Sequence, residues 1–112
     1  MSSRSNDALQ VSFEFARGRV RCTVTGDLIR DSVPLLFETV RAILTGGDRV
    51  VIDLTATTMI DSAALGCAAR LHQVATERGV SVEFVTGRNF QRRVFEVANL
   101  DGYLQIVHEP VG

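Results

Sequence analysis

The chain has 112 residues, 46% of them hydrophobic and 22% charged, and a formal net charge of -1. This length and composition are typical of one soluble globular domain with a single core. The balanced charge argues against direct binding to nucleic acid or to anionic membranes, and the absence of lysine excludes enzymes and nucleotide sites that need one.

Residues 1–8 carry no apolar pattern, and we expect them to form a flexible N-terminus ahead of one domain over residues 9–108. No secretory signal is visible at the start, and no apolar stretch approaches the roughly 18 residues of a membrane span. The two cysteines, Cys22 and Cys67, fall in predicted elements, which favours a reduced, buried pair. We therefore expect a cytoplasmic protein without membrane insertion.

The first two predicted elements are strands joined by a short turn. Residues 9–15 alternate apolar and polar side chains, as a half-buried strand does, and residues 20–24 alternate again. Because only a short turn around Gly18 separates them, a β-hairpin is the simplest connection. We expect the first strand to be antiparallel and to lie at one end of the sheet, where its exposed edge would permit a homodimer.

Helices and strands alternate through the rest of the chain. After a loop at residues 26–31, Ser32 can cap a helix that starts at Val33 and ends at Gly46-Gly47. The elements that follow are a strand over residues 50–54, a polar loop over residues 55–61, a helix ended by Gly79, a strand over residues 80–85, a helix ended by a turn at residues 99–102, and a strand over residues 103–107. The order ββαβαβαβ predicts an α/β domain, a mostly parallel sheet of about five strands covered by about three helices.

No pattern in the sequence indicates catalysis, a metal or a cofactor. Ser62 lacks the G-x-S-x-G setting of hydrolases, and His72 lies nearly three helical turns further on, too far away to act as its base. The histidines and cysteines lack metal-ligand spacing, and no glycine-rich loop leads from a strand into a helix. Asp53 ends a buried strand as a phosphoacceptor aspartate would, but such sites also need a lysine. We expect neither an enzyme nor a resident cofactor.

One segment resembles a known family. The apolar strand at residues 50–54, the polar loop, and the run D-S-A-A-L-G at residues 61–66 resemble the signature of STAS domains, the anti-sigma-factor antagonist family. The resemblance extends over residues 11–107. Within it, residues 25–28 are similar to the family's G-E-L-D segment, and residues 93–100 are similar to its late helix.

This resemblance implies a bacterial regulatory protein without catalytic activity. In the family, the serine of the motif is phosphorylated by a serine kinase that is also an anti-sigma factor, and a cognate phosphatase removes the phosphate. Ser62 would accept the phosphoryl group. The partner-binding surface would comprise Asp27, Asp61, Ser62, Ala63, Ala64 and Gly66.

Other interpretations stay open at this point. Asp61 and Ser62 are both good N-cap residues, so Ser62 could serve only to cap its helix. The protein could also be a STAS subunit of another assembly, such as a lipid ABC transporter, with Ser62 unmodified, or a sensor of a small ligand. Three departures from the family pattern, Ala63, Ala64 and Ile29, bear on the partner rather than on the fold.

Overall fold

The computed structural model describes residues 2–45, 49–87, 90–98, 100 and 104–108, which form one six-stranded sheet with three helices. In chain order the elements are β1 (Ser2–Ser5), β2 (Leu9–Ala16), β3 (Arg19–Leu28), α1 (Val33–Ile43), β4 (Arg49–Ile60), α2 (Ser62–Glu77), β5 (Val82–Thr86), α3 (Phe90–Val97) and β6 (Gln105–His108). The strands lie side by side in the order of the chain. β1, β2 and β3 pair antiparallel, and β3 to β6 pair parallel. From β2 onwards, the predicted order ββαβαβαβ and the α/β class are confirmed.

The hydrophobic core lies between the sheet and the helices. Alternate residues are buried in both strands of the hairpin, because alternate side chains of a strand point to the same face: Leu9, Val11 and Phe13 in β2, and Val20, Cys22 and Val24 in β3. Phe15, predicted on the buried face of the first strand, is exposed instead. In the central strand β4, all of residues 50–54 are buried. Phe84 of β5 and Phe95 of α3 extend this core towards the far edge, with their ring centroids 6.4 Å apart.

Both cysteines are free and buried in this core, as predicted. Burial, together with the negative charge of Asp53, raises the pKa of the Cys22 thiol to about 12. Burial also raises the pKa of Cys67 to about 12, although Arg70 acts in the opposite direction. Both thiols are therefore protonated and unreactive at neutral pH.

The structure adds a strand to the segment predicted as a flexible terminus. Ser2–Ser5 forms β1, which pairs with β2 in a register that places Ser3 opposite Ser12. The segment has no alternation of apolar and polar residues, so periodicity alone could not indicate it. An edge strand can instead be held by backbone hydrogen bonds to its neighbour.

β3 and β4 are longer than predicted, and this difference shapes the carboxyl edge of the sheet. Residues 55–60, predicted as a polar loop, continue β4, and residues 26–28 continue β3. The parallel pairing of β3 with β4 continues along these residues, interrupted by two β-bulges. At each bulge, β4 contains one residue more than β3. The alternation that marks a regular strand is lost at a bulge, which is why the segment was predicted as a loop.

The other ends of the predicted elements differ little. α1 begins at Val33 as predicted, and its last residue is Ile43. Gly46 and Gly47, predicted to end that helix, and residues 101–103 lie outside the described residues. In the part of the chain that the structure describes, no helix is long and apolar enough to cross a membrane.

Candidate functional site

Asp61 joins three segments at the carboxyl edge of the parallel strands. It lies between β4 and α2 as the N-cap of α2, and its Oδ1 accepts a hydrogen bond of 3.0 Å from the backbone N–H of Ala64. Its Oδ2 accepts one of 2.8 Å from the backbone N–H of Arg30, in the loop after β3. Its own N–H donates to the carbonyl oxygen of Leu28 at 3.4 Å. One aspartate therefore fixes the start of α2 against the β3–α1 loop.

Ser62 is the first residue of α2, and its side chain is exposed to solvent. The capping bond to the helix comes from Asp61, so Ser62 does not act as the cap. Within the described residues the Ser62 hydroxyl has no hydrogen-bond partner. The interpretation of Ser62 as a capping residue is therefore wrong, and its hydroxyl stays accessible from outside.

The other predicted site residues do not all face solvent. Gly66 is exposed and Ala63 is half-buried, so both can border a contact surface. Ala64 is only 2% exposed, because its side chain points into the core beneath α2. The prediction of Ala64 as a contact residue is thus corrected for its side chain. Asp27 is half-buried on β3, and its Oδ1 accepts a hydrogen bond of 2.5 Å from the hydroxyl of Thr58.

Ser32 has a different role from the predicted one. It occupies the N-cap position of α1 but makes no capping bond with its side chain. Its hydroxyl, fully buried, donates to the carbonyl oxygen of Asp27 at 2.7 Å and accepts from the N–H of Ile29 at 3.0 Å. Ser32 therefore holds the β3–α1 loop in place, and through it the Arg30 amide that Asp61 binds.

Met59 is an exposed apolar residue at the carboxyl edge of the sheet that the sequence did not indicate. It follows the second bulge, lies opposite Asp27 in the ladder, and is 52% exposed. The assignment of residues 55–61 to a loop gave no reason to expect a projecting apolar side chain there. Alternation cannot find such a residue, since each bulge reverses the face to which the next side chains point.

The site offers no arrangement for a metal. Within the described residues, no group of three or more histidine, cysteine, aspartate or glutamate side chains could hold an ion. What the edge does present is an exposed hydroxyl, two carboxylates tied into hydrogen bonds, and one apolar side chain. This combination suits recognition by another protein.

Removing the cap should cost measurable stability. We expect Asp61→Ala to lower the free energy of unfolding by about 1–2 kcal/mol. The change removes the side-chain acceptor of the Arg30 amide and leaves the Ala64 amide only its 3.1 Å bond to the backbone carbonyl oxygen of residue 61. Ser62→Ala is the matched control, and as a surface change it should shift stability by less than about 0.5 kcal/mol. Urea denaturation measures both. Equal losses in the two variants would contradict the capping role of Asp61.

Comparison with known proteins identifies similar sequences and folds. Residues 11–108 match the family model described as Mlab, STAS domain. No curated protein sequence matches the chain. Among solved structures, an anti-sigma factor antagonist from Mycobacterium paratuberculosis superposes with a TM-score of 0.81 at 20% identity, over 92% of this chain and 88% of that one.

The anti-sigma factor antagonist SpoIIAA is similar in two states. Its unphosphorylated form gives a TM-score of 0.73 at 14% identity, over 89% of this chain and 88% of that one. The phosphorylated form of SpoIIAA from Bacillus gives 0.67 at 14% identity, over 89% and 91% of the two chains. At such low identities these likenesses establish the fold that the proteins share.

Proposed function

This chain belongs to the STAS domain family, and from that membership we propose that it is an anti-sigma factor antagonist. It binds a serine-kinase anti-sigma factor in the cytoplasm, is released when that kinase phosphorylates Ser62, and is restored by a cognate phosphatase. It has no catalytic activity of its own. The observation that carries the proposal is the exposed Ser62 hydroxyl, which the capping role of Asp61 leaves available.

The surroundings of Ser62 suit a phosphoryl acceptor. The hydroxyl lies at the head of a helix, where the backbone N–H groups of the first turn favour an added anion. Small residues follow it, and Gly66 is exposed with open space where a Cβ would be. A kinase backbone can therefore approach closely along this side of α2.

Electrostatics explain why phosphorylation would release the partner. A phosphoserine carries about -1.5 to -2 charges, here next to the carboxylate of Asp61. The helix N-terminus offsets about 0.3–1 kcal/mol, whereas like charges about 5 Å apart cost roughly 3 kcal/mol at an effective dielectric near 20. Docking removes the water that screens this repulsion, so the cost rises in the complex. The phosphorylated protein should therefore dissociate with little change of fold.

Intact mass after incubation with candidate serine kinases and ATP tests the proposal. We expect the wild-type protein to gain one phosphate and Ser62→Ala to gain none. Ser81→Ala is the matched control, because Ser81 is exposed at the opposite edge of the sheet, directly before β5, and its replacement should leave the modification intact. The affinity of the modified protein for the kinase should fall at least about tenfold, as the loss of roughly 1.4 kcal/mol requires.

Two results would contradict this function. One is equal phosphorylation of the wild type and of Ser62→Ala, which would place the acceptor elsewhere. The other is a phosphorylated protein that binds the kinase as tightly as the unmodified one, which would remove the switch.

The alternative function is that of a STAS subunit in another assembly, such as a lipid ABC transporter, with Ser62 unmodified. The observation that favours it is the match to a family model described as Mlab and not as an anti-sigma factor antagonist. Ala63 and Ala64, which depart from the antagonist pattern, agree with it. Absence of phosphorylation by every kinase tried, together with stable association with a transporter ATPase, would support this alternative.

A further inference from the structure

Met59 is a large apolar residue that is exposed near the end of β4. Four large apolar residues of the described chain are exposed, and the other three lie in β2, α3 and β6. Phe15, which is 63% exposed, pairs with Val20 and therefore lies at the opposite edge of the sheet. Met59, 52% exposed, precedes Ser62 by three residues. Burial of this side chain against a partner would be favourable, because it would remove apolar surface from water.

The neighbours of Met59 hold the strand in place while its side chain projects. The hydroxyl of Thr57, which is buried, donates to the carbonyl oxygen of Leu54 at 2.6 Å. The hydroxyl of Thr58 donates to the carboxylate of Asp27 on the adjacent strand at 2.5 Å. Because the backbone around Met59 is already ordered by these bonds and by the ladder, little conformational entropy remains to be lost there on binding.

The position opposite Met59 indicates the chemistry of the partner. Asp27 uses Oδ1 for Thr58, whereas its Oδ2 accepts no hydrogen bond within the described residues. A carboxylate oxygen that is buried in an interface needs a donor, since an unsatisfied charged group is costly. Methionine is flexible and polarizable, and it fits irregular apolar pockets well.

We propose that Met59 is the apolar anchor by which the protein binds its serine kinase, entering a nonpolar pocket of that kinase whose rim donates hydrogen bonds to Asp27. The proposal rests on the function proposed above and adds the residue by which the kinase recognises its substrate. Met59 acts through binding, whereas the reacting atom is the Ser62 hydroxyl. Its effect should therefore appear in the affinity and in KM, and not in the identity of the modified residue.

The test uses the full chain and the kinase that phosphorylates Ser62. Met59→Ser should raise Kd and KM about tenfold to hundredfold, as truncation of an interface anchor does. Met59→Leu, which restores an apolar side chain of similar size, should stay within about threefold of the wild type. Phe15→Ser is the control, because it removes a large exposed apolar side chain at the opposite edge, and it should leave both constants unchanged. Thermal unfolding shows whether each variant stays folded.

The outcomes separate this inference from the function it rests on. If Ser62 is phosphorylated in the wild type and Met59→Ser has an unchanged Kd and KM, the anchor is overturned while the function stands. If Met59→Leu loses as much affinity as Met59→Ser, the proposal that this side chain enters a nonpolar pocket of the kinase is likewise overturned. If no kinase modifies Ser62 in the wild type, the function fails and the anchor fails with it.

Discussion

Gly26→Ala should destabilise the protein by about 2–4 kcal/mol, a large part of the 5–15 kcal/mol that a domain of this kind has. Gly26 has a φ of +105°, a conformation that residues with a Cβ rarely adopt. A Cβ there would also lie 2.3 Å from the backbone carbonyl oxygen of Ala8. That oxygen accepts a hydrogen bond of 2.9 Å from the N–H of Asp27, so moving it weakens a contact of the site edge.

Gly18→Ala separates the two causes of this loss. Gly18 also has a positive φ, +71°, in the turn between β2 and β3, but a Cβ there would meet nothing within 4 Å. It should therefore cost only the backbone strain, about 1–2 kcal/mol. Urea denaturation of both variants gives the difference. If Gly18→Ala is as damaging as Gly26→Ala, the close approach of Ala8 has no part in the effect.

Asp53→Asn should lower stability at neutral pH by about 2–3 kcal/mol, because a charged acceptor of three hydrogen bonds is replaced by a neutral amide. Asp53 is only 7% exposed. Its Oδ1 accepts from the N–H of Thr55 at 2.9 Å and from the Thr55 hydroxyl at 2.6 Å, and its Oδ2 accepts from Arg21 at 2.5 Å. In the asparagine variant, an NH₂ group in the place of Oδ2 would direct its N–H bonds towards the N–H bonds of the Arg21 guanidinium, so that two donors would face each other.

The pH dependence of stability provides a second measure of the same group. Burial raises the pKa of the Asp53 carboxyl, but the hydrogen bonds from Thr55 and the guanidinium of Arg21 outweigh it, so the pKa lies below its usual value. Because the folded state favours the ionised form, the carboxylate stabilises the fold at neutral pH. This contribution is lost as the pH falls through the lowered pKa, below about 4.

The wild type and Asp53→Asn should therefore converge in stability as the pH is lowered, which denaturation curves at a series of pH values will show. Glu14→Gln is the control. Glu14 is an exposed carboxylate opposite Arg21 in the β2–β3 ladder, and its replacement should change stability by less than about 0.5 kcal/mol. A constant gap between the wild type and Asp53→Asn down to acid pH would show that the charge of Asp53 does not stabilise the fold.

Regular alternation predicted much of the fold, and its breakdown explains the differences. The buried residues of β2 and β3 recur at every second position, so their strands could be predicted from hydrophobicity alone. β1 has only polar residues at its ends and an arginine within it, so nothing local indicated its pairing. In β4 the bulges place buried Thr57 two positions from exposed Met59, which breaks the alternation on which the prediction of strands depends.

The position of Asp61 and Ser62 at the start of α2 could also be predicted. The Asp61-Ser62 pair was found from its residue types, because both side chains suit a helix N-terminus. Residue type alone does not decide which of the two forms the capping bond, since both are good N-cap residues. The further bond that Asp61 accepts from the amide of Arg30 comes from another segment, which a local pattern does not contain. The burial of Ala64, in contrast, follows from a local pattern, because Ala64, Cys67 and Leu71 recur at helical spacing on the buried side of α2.

Strand order along the sheet follows chain order throughout, and this has a consequence for synthesis on the ribosome. Each new strand pairs with the strand synthesised immediately before it. No two strands must therefore stay apart until a later strand inserts between them. Sheets in which a late strand inserts between early ones must leave an unpaired edge inside the nascent chain, where it can pair wrongly. In this protein, the strand synthesised last is always the edge with which the next strand pairs. We therefore expect the sheet to form strand by strand in chain order, with few misfolded intermediates.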